Sequence, residues 1–337
     1  MSAAPFRSRQ VATARHRTAY LEAGPAHGPL MILVHGWPEL GLIWEHQLRH
    51  FAAAGWRCIA PDMRGYGGSS VPDRVSDYQV RAIVDDLLEL HDSLGAAPAL
   101  WVAHDWGCAP AWGLAARHPG RCRGVVALSC PYFPLGLTAE SAAATVDRTL
   151  YPHDRFPVGQ WDYWHYHRER SHAAAASLDA DVRATLAAMY RRTPAEVVGR
   201  ASRFADVRAR GGFFGAAGRA PAMPRDETMF SDATFEQFVA AFEHTGFRGA
   251  NAWYLNDAAN AAYAAEAPRF GRIDVPVLFL HGRRDTVCDT VHSALAEPMR
   301  GACADLSEVT LDCGHMLMLE EPGAVNAAIE RWATAPR

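Results

Sequence analysis

The stretch from Ala99 to Ala116 constrains the fold more than any other part of this chain. Ala99-Leu100-Trp101-Val102 is an apolar run of strand length, and Cys108-Ala109-Pro110-Ala111-Trp112-Gly113-Leu114-Ala115-Ala116 reads as a helix. Between them only Ala103-His104-Asp105-Trp106-Gly107 remains to turn the chain. A small residue two positions before Asp105 and a glycine two after it suit the sharp strand-to-helix turn that lifts a nucleophile above a sheet. A carboxylate raised in this way attacks carbon directly and becomes an ester, which suits substrates with a strained ring or a displaceable group. Taken alone, the same residues also suit a buried structural aspartate at a strand end.

Strand-like and helix-like stretches alternate on either side of this turn. Leu30-Met31-Ile32-Leu33-Val34 ends in His35-Gly36-Trp37-Pro38-Glu39, and Arg57-Cys58-Ile59-Ala60-Pro61 leads into a glycine-dense loop through Ser70. Between Gln79 and Leu94, Val80, Ile83, Val84, Leu87, Leu90 and Leu94 recur at helical spacing. Gly124–Ser129 is a further strand candidate, as are Val275–Leu280 and Leu306–Leu311, and a helix closes the chain. The pattern predicts an α/β fold with a mainly parallel sheet flanked by helices, its working residues at the carboxyl ends of the strands. From about 135 to 270 the chain is rich in Ala, Arg and aromatics and predicts helix and loop without strand. The expected organisation is therefore one core domain, residues 1–134 and 271–337, interrupted by an inserted helical cap over 135–270.

At 337 residues and 49% hydrophobic, the chain can bury such a core together with an insertion. A net charge of −4 supplies no basic field for nucleic acid or acidic lipid. No run approaches the ~20 apolar residues that span a bilayer, so neither nucleic acid nor membrane is an expected partner. The first nine residues lack the apolar core of a secretory signal. Seven cysteines, an odd number with no CxxC pair, predict reduced thiols in a cytoplasmic protein. His165 and His167, with His153 and His172 nearby, gain no cysteine or carboxylate pattern to complete a zinc set. The Gly65-Tyr66-Gly67-Gly68 loop lacks the lysine and spacing of a phosphate-binding loop. Neither metal nor cofactor is expected, and monomer and homodimer both stay open.

Asp105, Asp285 and His315 each stand after a strand candidate, in the chain order nucleophile, acid, histidine that this architecture uses. Asp285 follows a Gly-Arg-Arg turn and can orient an imidazole; Gly314 lets the backbone turn His315 toward Asp105. The N–H groups of Trp37 and Trp106 can converge as an oxyanion hole, each such donor being worth about 3 kcal/mol. A plain turn built by Gly36 and Pro38 is the alternative for the first.

On His35-Gly36-Trp37-Pro38-Glu39, Asp62-Met63-Arg64-Gly65-Tyr66-Gly67, His104-Asp105-Trp106-Gly107 and Asp312-Cys313-Gly314-His315, the chain resembles the epoxide hydrolases of the α/β-hydrolase fold, from about residue 15 to 335. These motifs also suit haloalkane dehalogenases, and the cap separates the two. Trp161-Asp162-Tyr163-Trp164-His165-Tyr166 and Gly246-Phe247-Arg248-Gly249-Ala250-Asn251-Ala252-Trp253-Tyr254 resemble the two tyrosine segments of epoxide hydrolase lids. The resemblance implies that Tyr163 and Tyr254 hold the oxirane oxygen of a small-molecule epoxide substrate and donate to the departing alkoxide, which a halide does not require. Tyr166, three residues on, is the reserve donor. Glu39 matches an acidic residue that can position the hydrolytic water, although a surface carboxylate after Pro38 looks the same. Detoxification is the role such an enzyme suggests. Ala103, Cys108 and Met316 depart from the usual glycine, glycine and aromatic, which bears on substrate preference. Besides the dehalogenase, a ligand-binding relative without turnover is the remaining alternative.

Overall fold

All five residues of Leu30–Val34 are buried, as are all six of Ala99–His104. A strand apolar on both faces demands cover on both sides, and that requirement organises the molecule. The computed structural model describes residues 6–335; residues 1–5, part of the segment read for a secretory signal, lie outside them. Eight strands form one sheet: β1 (Arg7–Ala12), β2 (Arg17–Ala23), β3 (Leu30–Val34), β4 (Arg57–Pro61), β5 (Ala99–His104), β6 (Cys122–Leu128), β7 (Val277–Gly282) and β8 (Leu306–Leu311). Their order is β1-β2-β4-β3-β5-β6-β7-β8; the β1–β2 and β2–β4 pairings are antiparallel and every pairing from β4–β3 onward is parallel. The hairpin β1–β2 is absent from the sequence expectations. Its first strand is almost wholly exposed and carries the arginines of a guarded edge rather than an apolar run.

Helix α1 (Glu45–Ala53) follows β3, α2 (Val80–Ser93) follows β4, and α3 (Cys108–Arg117) follows β5. The stripe predicted for α2 is the buried one, since Val80, Ile83, Val84, Leu87 and Leu90 all face inward. α2 packs on α3, while α1 packs on the C-terminal helix.

Between β6 and β7 every named element is helical. In order these are α4 (Ala139–Ala143), α5 (Asp162–Glu169), α6 (Ser171–Asp179), α7 (Val182–Met189), α8 (Asp232–Thr245), α9 (Arg248–Asn251) and α10 (Asp257–Ala265). Asp181 and Ser231 cap α7 and α8 by accepting bonds from the Ala184 and Thr234 amides. After β7 come α11 (Glu297–Ala302), α12 (Leu317–Glu320) and α13 (Pro322–Thr334). The inserted helices sit over the carboxyl ends of the strands. Tyr190 donates to the Pro38 carbonyl at 2.6 Å, Trp253 to the Arg64 carbonyl at 3.0 Å, and Val80 N–H to Asn260 at 2.9 Å. No helix among the described residues is long and apolar enough to cross a membrane.

Candidate active site

Asp105 is the first residue after β5 and has φ of +49°, left-handed backbone that a non-glycine residue adopts only under constraint. The constraint is steric. A Cβ on Gly107 would stand 2.5 Å from the carbonyl oxygens of Val34 and His35, and one on Gly36 would stand 2.5 Å from Asp105 Oδ1. The turn thus threads against the end of β3 only because both positions lack side chains, and it delivers the carboxylate to the loop after that strand. There the Trp37 N–H donates to Asp105 Oδ1 at 2.7 Å.

His315 closes the other side. Its Nε2 lies 3.5 Å from Asp105 Oδ2, and its Nδ1 bonds Asp285 Oδ2 at 2.9 Å. The second oxygen of Asp285 accepts from the amides of Val287 and Cys288 at 2.8 and 2.9 Å. Burial works against charge at all three residues, and the partners outweigh it. Asp105, despite burial, is held below the usual carboxylate range by the His315 bond and charge, His104 and the Trp37 amide. Asp285 is depressed in the same way by His315 and its two amides. For His315, burial pulls downward while the Asp285 charge and the bonds to both carboxylates carry the imidazole well above its ordinary value. The resting site therefore holds two carboxylates around one imidazolium.

Across a cavity of about 600 Å³, Tyr163 on α5 and Tyr254 in the turn Ala252–Leu255 face Asp105, Trp37 and His315. Their rings meet edge to face with centroids 5.7 Å apart. Burial, with added push from the Asp105 charge, raises both phenols well above 10, so both remain protonated donors. Tyr254 is fixed by His167 stacked on it at 4.3 Å, by the Trp106 ring at 5.0 Å, and by the Trp164 indole donating to its carbonyl at 3.1 Å. His167, part of the histidine cluster weighed for metal, is thus an aromatic support, and burial lowers it to about 3.

Tyr166 does not share this cavity. Its ring packs on Phe213 at 5.8 Å and its hydroxyl lies beside Gly212, so the three-residue spacing turns it off the catalytic face. Glu39 is wholly buried, which removes the surface-carboxylate alternative. Its Oε2 accepts from Gly36 N–H at 2.7 Å and its Oε1 meets His104 Nδ1 at 2.6 Å. His104 Nε2 then contacts the His315 carbonyl at 2.8 Å. Glu39 thus ties the Trp37 loop to the His315 loop from beneath. Sequence reasoning assigned His104 no role; its place directly before Asp105 was the available signal. Asn251, within the second tyrosine segment, also supports the site: its Oδ1 accepts from the Trp37 indole at 2.9 Å.

Residues 29–161 match the family model described as alpha/beta hydrolase fold. Epoxide hydrolase A of Mycobacterium tuberculosis is 33% identical over 327 residues, covering 94% of each chain. The bifunctional epoxide hydrolase 2 of Sus scrofa is 28% identical over 94% of this chain, which spans 53% of that longer protein. Among solved structures, epoxide hydrolase A from Mycobacterium thermoresistibile superposes with a TM-score of 0.79 at 30% identity, covering 97% of this chain and 98% of that one. An epoxide hydrolase from an endophytic Streptomyces gives 0.78 at 28% identity, covering 97% and 95%. With an aspartate on the elbow, a histidine and second aspartate behind it, and two phenols opposite, the chain belongs to the epoxide hydrolases of the α/β-hydrolase fold.

Proposed function

We propose that the protein opens a small-molecule epoxide to a vicinal diol through a covalent ester on Asp105, within a core of residues 1–134 and 271–337 covered by a cap of residues 135–270. The observation that carries this reading is the facing pair of protonated phenols across one cavity from an ionised carboxylate. Tyr163 and Tyr254 hold the oxirane oxygen. Asp105 Oδ2, the oxygen not engaged by Trp37, attacks a ring carbon from the opposite side. As the ring C–O bond breaks, its electron pair goes to the ring oxygen, which takes a proton from a phenol. Water then loses a proton to His315 Nε2, held by Asp285, and adds to the ester carbonyl. Oδ1 carries the resulting negative charge toward the amides of Trp37 and Trp106. Cleavage of the Cγ–Oδ2 bond sends its electron pair to the departing oxygen, which takes the proton from His315 and leaves as the diol; the Asp105 carboxyl so formed ionises, and the phenolate left by ring opening regains its proton, which restores the resting site.

The supporting geometry disfavours a dehalogenase. A departing halide needs free N–H donors, whereas the Trp37 indole is committed to Asn251 and the Trp106 ring packs edge to face on Tyr254 with centroids 5.0 Å apart. Glu39 is proposed to act through His104 and the loops it joins, rather than by holding the hydrolytic water itself. Seven unpaired cysteines support a reducing, cytoplasmic setting, in which removal of reactive epoxides is a fitting role. The test is parallel turnover of styrene oxide, scored for diol, and 1-bromobutane, scored for bromide, with Asp105→Asn as blank. Diol lost in the blank is expected; bromide without diol would overturn the assignment in favour of a dehalogenase.

A further inference from the structure

Nothing in the proposed reaction uses a thiol, yet the histidine and aspartate behind Asp105 have one beside them. Asp285, Cys288 and His315 each offer a ligating atom, and these atoms all lie within 4.8 Å of one another. Among the described residues no other group of three or more His, Cys, Asp or Glu gathers so closely, the cap histidines included. A second thiol, Cys130, stands beside that of Cys288 and is the largest single influence on its titration. Both cysteines are buried and unpaired.

The fold brings these donors from three neighbouring strand ends. Cys130 follows β6, Asp285 and Cys288 follow β7, and His315 follows β8. Ser129 joins the three ends: its N–H donates to the Leu280 carbonyl at 3.1 Å and its Oγ to the His315 carbonyl at 3.2 Å. Asp285 Oδ1 is taken by two backbone amides, Cys288's among them, which leaves Oδ2 as the ligating oxygen. The His315 side chain, 14% exposed, lines the cavity above Asp105, and an ion can enter there. Charge favours a cation, since the Asp105 and Asp285 carboxylates both lie within 3.5 Å of a single imidazole. Sulfur, imidazole nitrogen and one carboxylate oxygen suit Zn²⁺ or Cd²⁺, whereas Mg²⁺ and Ca²⁺ demand oxygen. Around a tetrahedral zinc ion, with bonds of about 2.0–2.3 Å, neighbouring donors stand about 3.3–3.8 Å apart, a separation that small side-chain rotations reach here.

We propose that Asp285, Cys288 and His315, with Cys130 as the fourth donor, form a binding site for a thiophilic divalent cation, whose occupancy takes His315 out of catalysis. Binding releases the thiol protons and the imidazole proton to solvent. An imidazole already bound to the cation cannot take a proton from water without a second positive charge on the ring, so ester hydrolysis stops. The binding site stands apart from the epoxide hydrolase reading; only the inhibition rests on that reading.

The experiment titrates Cd²⁺ into the reduced wild type, Cys288→Ala, Cys130→Ala and Cys313→Ala. Binding is read by calorimetry and by sulfur-to-cadmium charge transfer in the ultraviolet, and turnover of styrene oxide is compared with each protein's own metal-free rate. The wild type and Cys313→Ala should bind one ion with a Kd of about 1 μM or below and lose diol formation in step with the new absorbance. Cys288→Ala and Cys130→Ala should bind about 100-fold more weakly, since even the outer partners of a metal site are worth about 10–100-fold. Mg²⁺ should neither bind nor inhibit. No charge-transfer band, a Cys288→Ala variant that binds as tightly as the wild type, or binding lost only in Cys313→Ala would overturn the site. A saturated band with unchanged diol formation would overturn its hold on His315. The band does not depend on turnover, so cadmium binding in a protein that forms no diol at all would count against the hydrolase reading and support the site.

Discussion

Replacing His315 with glutamine should separate the two chemical steps. The groups assigned to ring opening are Asp105, Tyr163 and Tyr254, and the Trp37 amide that grips Oδ1 at 2.7 Å is backbone, so alkylation retains its machinery. His315 does help keep Asp105 ionised, and running the reaction near pH 8 compensates for that loss. Ester hydrolysis, in contrast, loses its base. The 3.5 Å between Nε2 and Oδ2 is too long for a strong direct bond, and glutamine cannot accept a proton from water placed there. Loss of a positioned general base typically costs 10²–10⁴-fold, so about 10³, or about 4 kcal/mol, is a reasonable expectation. A typical turnover of about 10 per second then becomes about one event per hundred seconds, slow enough to trap by acid quench. Intact mass spectrometry after mixing with styrene oxide should show nearly stoichiometric protein heavier by one substrate molecule. Proteolysis should locate the adduct on the peptide containing Asp105. Unmodified protein at every quench time, or steady-state diol formation close to the wild-type rate, would refute the two-step scheme.

Three further perturbations probe other parts of the argument. Tyr163→Phe and Tyr254→Phe each remove one donor to the departing oxygen and should each slow single-turnover alkylation by about 10²-fold, or about 3 kcal/mol; an unchanged rate in the double variant would show that neither phenol donates. Gly107→Ala forces a Cβ to within 2.5 Å of two backbone oxygens that cannot move aside cheaply. It should destabilise the fold by about 3 kcal/mol or more, and an unaltered melting temperature would contradict the steric account. Asp257 is raised to about 6, chiefly by burial, with opposition from the Ala139 amide and Arg168. Its folded pKa exceeds its unfolded one, so its contribution is full below about pH 4 and is lost as pH rises to about 6. Asp257→Asn should flatten that loss and stabilise the protein near pH 7.5 by up to about 3 kcal/mol, read by thermal melts across pH.

The parallel strands were legible because burial on both faces leaves an unbroken apolar run, as in Leu30–Val34. The hairpin β1–β2 was not, because an exposed edge strand has no hydrophobic pattern to read. Asp105, Asp285 and His315 were legible because each follows a strand end, a position the topology makes meaningful. Glu39 was ambiguous for a different reason. Its partner His104 lies 65 residues away, so whether the carboxylate is exposed or buried depends on two loops meeting. The choice between Tyr163 and Tyr166 likewise rests on Phe204 and Phe213, supplied by the irregular segment after α7.

The electrostatics of His315 raise an apparent conflict with its proposed work. An imidazole held well above its ordinary value by two carboxylates is protonated at neutral pH and cannot act as a base. The resolution lies in the chemistry of the first step. Once Asp105 becomes an ester it loses its charge, and His315 loses the attraction of one carboxylate 3.5 Å away. Burial, which disfavours the imidazolium throughout, is then opposed by Asp285 alone, and the pKa falls toward a value from which Nε2 can take a proton. Base strength thus becomes available only when there is an ester to hydrolyse. Asp105→Asn imitates the neutral ester closely in size and shape. The His315 ring should therefore titrate at lower pH in that variant than in the wild type, observable as the pH dependence of its imidazole NMR shifts. An unshifted titration would mean that Asp105 does not govern the protonation of His315, and the coupling between the two steps would have to be abandoned.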